Sequence, residues 1–147
     1  VRDPLGALIG VSLSRHSFPV PIRQFGPEIY LSNGASFPET FYQHVFGWRA
    51  PAPARQDQSG TAIIGPSGEP LAWYLSGIET TDRQASWLPS IKVTSADNAW
   101  HSAMALGGRR LETTTQGAAG AFRYILHDRE GALLLLSDAQ GGPCPMA

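Results

Sequence analysis

The chain is poor in the features on which several common chemistries depend. It has a single cysteine, Cys144, so an internal disulfide is impossible. That thiol sits in a Gly/Pro-rich tail, Gly141 to Ala147, with no histidine beside it in sequence. It reads as a bystander, not a nucleophile. Lys and Arg number 11 against 12 Asp and Glu, a formal net charge of −1. No block of like charge stands out and no basic stripe is visible, so nucleic acid is not an expected partner. The longest apolar run, Ala132 to Leu136, is far too short to span a bilayer. No signal-peptide or lipidation pattern is visible. A cytoplasmic location with no membrane partner is the resulting expectation.

What is present is ordinary globular composition. The 147 residues are 42% hydrophobic and 16% charged, enough for one domain with a real core. Two segments carry helix signals. Ser36 and Glu39 have capping-box spacing, and Pro38 sits in the first turn, where it costs little. Phe37, Phe41, Val45 and Phe46 recur at helical spacing, and Gly47 is a stop. The second helix is expected from Ser95, a candidate N-cap with Asp97 in the first turn. Ala99, Trp100, Ala103, Met104 and Leu106 supply its buried side, and Gly107-Gly108 ends it.

An alternating strand precedes each helix. Ile29 and Leu31 alternate with Glu28, Tyr30 and Ser32; Ile91 and Val93 alternate with Ser90 and Lys92. Strand-like runs follow at Thr61 to Ile64, Pro70 to Leu75, Ala121 to Leu126 and Ala132 to Ser137, separated by Gly-rich turns. Ser36 recurs as Ser95 and Gly68 as Gly131, a repeat of roughly sixty residues. A third echo lies in Asp3-Pro4-Leu5-Gly6-Ala7, which matches Asp128-Arg129-Glu130-Gly131-Ala132 as a tight turn feeding a strand. Residues 1–22 are therefore expected to be a last-strand remnant of a preceding unit plus a linker. The alternative is that Ala7 to Leu13 is an extra strand of this domain.

Phe41-Tyr42 with Phe46-Gly47-Trp48, Trp87 to Val93 with Ser95 to Gly108, and Gly120 with Asp128-x-x-Gly131-Ala132 stand in one order along residues 26 to 138. Together they resemble the vicinal oxygen chelate superfamily (glyoxalase, bleomycin resistance, dioxygenase), in its tandem-domain form. The resemblance implies an α+β fold: two βαβββ modules forming a curled mixed sheet around a cavity, with helices on the outer face. The modules would run about 26–78 and 86–138 within a domain of 23–140, followed by a flexible tail at 141–147. Metal-dependent members place a His or similar ligand at the start of each module's first strand and a Glu in its last strand. Those positions fall here at Gly26 or Pro27, at Leu88, at Leu135 and near Trp73 to Leu75. None is a His or an acid, so no metal and no cofactor is expected; Glu28 alone cannot build such a site.

The histidines do not replace the missing ligands. His44 and His101 lie on helix faces expected to meet solvent, His127 lies beside a turn and His16 in the linker. No Ser/His/Asp or Cys/His grouping is evident. If Ile29, Leu31, Ile91 and Val93 face the helices, then Glu28, Tyr30, Ser90 and Lys92 face the cavity. Glu28 and Lys92 would then orient a polar ligand, or act as acid and base; a salt bridge or solvent exposure is the alternative. Trp48, Trp73, Trp87 and Phe122 are candidate walls for a flat ligand, although core packing would also require them. Ala50 to Ser59 reads as a loop able to lid the cavity.

Three functions fit this reading. One is a metal-independent domain sequestering a hydrophobic or aromatic compound. Another is a lyase, isomerase or dioxygenase whose metal site comes from another module or subunit. The last is a non-catalytic half of a tandem protein acting in dimerisation, for which a homodimer is the expected assembly.

Overall fold

In the computed structural model, residues 1–11, 28–51, 60–77, 84–111 and 124–138 are described. The chain is α+β, and the described residues form two four-stranded mixed sheets and two helices. The first unit contains β1 (Glu28–Ser32), α1 (Glu39–Phe46), β2 (Thr61–Ile64) and β3 (Pro70–Ser76). β4 (Ala85–Leu88) then leads through Pro89 into β5 (Ser90–Val93). The second unit continues with α2 (Ala96–Ala105), β6 (Arg109–Arg110), β7 (Tyr124–His127) and β8 (Leu133–Asp138).

The sixty-residue repeat is visible in the pairing. β1 runs parallel to β3, and β5 runs parallel to β8. β2 and β7 are antiparallel to the strands that follow them. Arg49, just after α1, bridges Ile64 as β6 bridges β7. The strand orders are β2-β3-β1-β4 and β5-β8-β7-β6. β4 is an addition to the repeat, laid antiparallel against β1. At the corner the Leu135 N–H donates to the Pro89 carbonyl at 3.0 Å. The residue with no N–H of its own thus lies where one strand leaves the first sheet and enters the second.

One turn is used three times. In Asp3–Ala7 and Asp128–Ala132 the first residue's N–H donates to the fifth carbonyl, and the fourth N–H donates to the first carbonyl. In both, an aspartate Oδ1 also accepts the fifth residue's N–H. Gly65 to Glu69 repeats the backbone bonds without the aspartate. Gly6, Gly68 and Gly131 take φ of 90°, 87° and 91°, a region that side chains with a Cβ disfavour. The N-terminal copy closes a short hairpin, with Arg2 bridging Leu8 and Val1 bonded to Ile9.

The two helices start differently from one another. Ser95 caps α2 as expected, its Oγ accepting from the Asn98 N–H at 3.3 Å. Asp138 of β8 adds a bond from the Ala96 N–H at 2.7 Å. The capping box at Ser36 does not form. α1 starts at Glu39 after Pro38, with no side-chain cap. Glu39 instead accepts from the Ala50 N–H at 3.3 Å, tying the segment just after the Arg49 bridge back to the helix. Gly47 stops α1 in the left-handed region. Val45 and Leu106, read as core residues, are 47% and 78% exposed. α1 has turned its buried face onto Tyr42, and Leu106 lies beyond the last turn of α2.

Among the described residues three apolar clusters form the core. Tyr30, Phe37, Tyr42, Ile63, Ala72 and Ala85 form one with Ala7 of the hairpin. Ala96, Leu126 and Leu136 form a second under α2, with Ile91 and Val93 against it. Between the sheets lies a third: Ile29, Leu31, Leu75 and Leu88 of the first, Leu135 of the second, and Leu111 just beyond β6.

This arrangement corrects the expected facing of β1. Ile29 and Leu31 point between the sheets, and Tyr30 points outward to α1. Alternation separates two faces without saying which is inner, and four of the five β1 residues are buried. β5 follows the expectation, with Ile91 and Val93 on the helix side.

Candidate functional site

The space between the sheets is where the resemblance places a functional centre. Leu88 and Leu135, at two positions that the resemblance would assign to ligands, pack into one cluster with Leu75, which lies in the stretch Trp73 to Leu75 near which a third would fall. Leu75, Leu88 and Leu135 are 3%, 1% and 0% exposed. Their strands do converge side chains on one point, but those side chains are hydrocarbon and can neither ligate an ion nor move a proton. Gly26 and Pro27 lie outside the described residues. Among the described residues no group of three or more His, Cys, Asp or Glu is placed to hold a metal.

Beside the leucines, the same face of the second sheet becomes polar. Ser90 and Ser137 are buried, with their Oγ atoms 3.5 Å apart. Lys92 is half-buried and pairs in register with Ser137. By alternation it shares the face of Ser90. Trp73 stands opposite the outward Ala72 and Tyr74, so it lies on the inner face of β3. It is half-buried and in register with Ile29. Ile125 and Leu133 complete an incompletely buried apolar margin. Ser90, Lys92 and Trp73 are thus the expected ligand residues that the fold leaves on the inner face.

The other expected residues go elsewhere. Glu28 is exposed, on the outward side of β1 by its spacing from Tyr30. It therefore does not face Lys92. Tyr30, Trp48 and Trp87 all pack on the α1 side. Phe122, Cys144, His16 and residues 52–59 of the expected lid lie outside the described residues. His44 is exposed. His101 bonds the Asp97 carbonyl and His127 the Gly131 carbonyl, both local contacts within four residues.

The outer aromatic residues form a polar network that sequence reasoning missed. Asp3 is 5% exposed. Its Oδ2 accepts from the Tyr30 hydroxyl at 2.5 Å and the Tyr42 hydroxyl at 3.0 Å. Its Oδ1 accepts from the Leu5 and Ala7 N–H groups at 2.9 and 2.8 Å. The Trp87 indole N–H donates to the Tyr42 hydroxyl at 2.8 Å. Tyr42 stacks on Trp48 with centroids 5.8 Å apart, and Tyr30 meets Trp87 edge-on at 5.1 Å.

A buried carboxylate is tolerated when its lone pairs are satisfied, and four donors do that here. Burial, above all, raises the hydroxyl pKa of Tyr30, and the Asp3 carboxylate raises it further. Tyr42 is also raised, mainly by burial, with the indole N–H pulling the other way. Both hydroxyls therefore act as donors, not as bases. The network fastens the N-terminal hairpin to the α1 face. The Asp-x-x-Gly turn was readable in the sequence; that its aspartate reaches two tyrosines 27 and 39 residues away was not.

The chain matches no family model and no curated protein.

Proposed function

We propose that this chain is a metal-independent small-molecule-binding domain on a glyoxalase/bleomycin-resistance type of scaffold. The observation that carries the reading is the joining of Leu75, Leu88 and Leu135 in one buried cluster. Leu88 and Leu135 stand where the resemblance would expect metal ligands and Leu75 lies near a third such position, which supports a reading in which packing takes the place of ion binding. Binding then falls to the margin of the inner face, where Trp73, Ile125 and Leu133 offer incompletely buried apolar surface. Ser90, Ser137 and Lys92 supply hydroxyls and a cation at its polar end. A hydrophobic or aromatic compound bearing an acidic group suits that pairing of surfaces.

The test is fluorescence titration with a panel of flat aromatic carboxylates and their uncharged amides. Saturable quenching that weakens at least tenfold in Lys92→Met and is lost in Trp73→Leu is the expected result. Quenching unchanged in both variants would move the site elsewhere. Calorimetry with zinc, manganese or magnesium ions gives an independent arm, where stoichiometric tight uptake of one ion would overturn metal independence.

A further inference from the structure

We propose that Asn33-Gly34 is a site of self-modification, where the folded chain slowly converts Asn33 to isoaspartate through a succinimide. The reaction joins the asparagine amide carbon to the backbone nitrogen of the next residue. It needs an accessible side chain, a following residue with no Cβ in the way, and space for a five-membered ring to close. The chain holds two asparagines, Asn33 and Asn98, and the fold gives them opposite surroundings.

Asn33 is exposed, in the turn between β1 and α1. Gly34 is exposed beside it at φ 72°. No described atom lies within 4 Å of where a Gly34 Cβ would stand. Glycine serves the turn by accepting a positive φ; the same missing side chain leaves its nitrogen unshielded as a nucleophile. The Asn33 N–H donates to the Gln84 carbonyl at 2.8 Å, continuing the β1–β4 ladder. That bond holds the main chain ahead of Asn33, while the reacting groups are its side chain and the nitrogen after it. Asn98 stands instead in the first turn of α2. The residue after it, Ala99, carries a Cβ, and its N–H donates to the Ser95 carbonyl at 3.1 Å. That nitrogen is committed to the helix.

The chemistry needs only water. The Gly34 nitrogen gives its proton to solvent base and attacks Cγ of Asn33. The N–Cγ bond forms, the Cγ–Nδ2 bond breaks, and ammonia leaves. Water then opens the ring. Breaking the bond from the Gly34 nitrogen to Cγ gives aspartate. Breaking its bond to the Asn33 main-chain carbonyl carbon gives isoaspartate, whose main chain runs through Cβ and Cγ and is one atom longer. Either product adds a negative charge.

The extra atom falls inside a clamp. The Ala35 carbonyl accepts from the Ser32 hydroxyl and, at 2.7 Å, from the Tyr74 hydroxyl of β3. These bonds span Asn33-Gly34 and fix the chain entering Phe37 of the aromatic cluster. Isoaspartate lengthens the spanned segment, so the link from β1 to α1 loosens; aspartate leaves its length unchanged.

Peptide mapping by mass spectrometry tests this on the native full chain, held in mildly alkaline buffer and sampled over days. The expected result is conversion of Asn33, isoaspartate in excess over aspartate, faster as pH rises, with Asn98 still an amide. Asn33→Gln requires a six-membered ring and is expected to slow amide loss at this position by an order of magnitude or more. A native Asn33 that reacts no faster than Asn98 overturns the proposal. So does an Asn33 that reacts only in a parallel sample unfolded in urea. The clamp has its own arm: the isoaspartate form, separated by ion exchange, is compared with Asn33→Asp, which has the same charge on an unaltered main chain. Faster exchange of the Asn33 amide and a lower urea midpoint are expected for the isoaspartate form. Identical behaviour of the two overturns the loosening of the clamp.

Discussion

Asp3 holds more of the structure than its place in a turn suggests. Four donors converge on one carboxylate, and two belong to side chains of other elements. Asp3→Asn removes the charge and turns a donor amide towards two hydroxyls. Buried hydrogen bonds to charged groups contribute about 1.5–3 kcal/mol each. Asp3→Asn is accordingly expected to lower unfolding free energy by about 3 kcal/mol, measured by urea titration. The tyrosines give a matching pH dependence. Their hydroxyls normally ionise near 10.0, and both are raised in the folded chain. Above that pH the unfolded chain releases protons that the folded chain keeps. Stability is therefore present in full below the unfolded value and lost as pH rises beyond it. Denaturation followed from neutral to strongly alkaline pH checks this, and Tyr30→Phe is expected to make the alkaline loss shallower.

Elements are bounded here by specific hydrogen bonds rather than by propensity. α2 is capped by Ser95 and anchored by Asp138, whereas α1 has no side-chain cap at all. Ser95→Ala is expected to cost about 1 kcal/mol. Ser36→Ala is expected to fall within about 0.5 kcal/mol of wild type, as for an exposed residue outside such a feature. Thermal melts of the pair distinguish a cap that forms from one that exists only as spacing. The repeated turn gives a second contrast. Gly131 is held at φ 91° with nothing within 4 Å of where a Cβ would stand. Gly131→Ala therefore tests backbone strain with no clash, and a loss of about 1–2 kcal/mol is expected.

At the scale of the molecule, the leucine cluster joins the two sheets. Leu88 and Leu135 are nearly or fully buried, and both sit in it. Truncating either to alanine is expected to cost about 2–5 kcal/mol. The two losses should not add, because the residues share one cluster. The double variant, measured by denaturant titration, reports that coupling. Among the described residues no helix is long and apolar enough to cross a membrane.

The sequence by itself determined the longer elements and their order. Period-two strands at Ile29/Leu31 and Ile91/Val93, the Ser95 cap, the Gly47 stop and the Asp-x-x-Gly turns were all local signals, and each appears where its residues stand. That Leu88 and Leu135 carry hydrocarbon side chains is likewise read from residue type alone. Short elements escaped notice: β6 has only two residues, and β4 is split from β5 by Pro89. Only the tertiary structure decided which way β1 faces. An alternating strand buried on both sides looks the same from either face, and the choice rests on where the Tyr30 hydroxyl finds a partner. That partner is Asp3, 27 residues away. The fate of Glu39 and of Trp48 and Trp87 was settled in the same way, by contacts between residues that no local pattern connects.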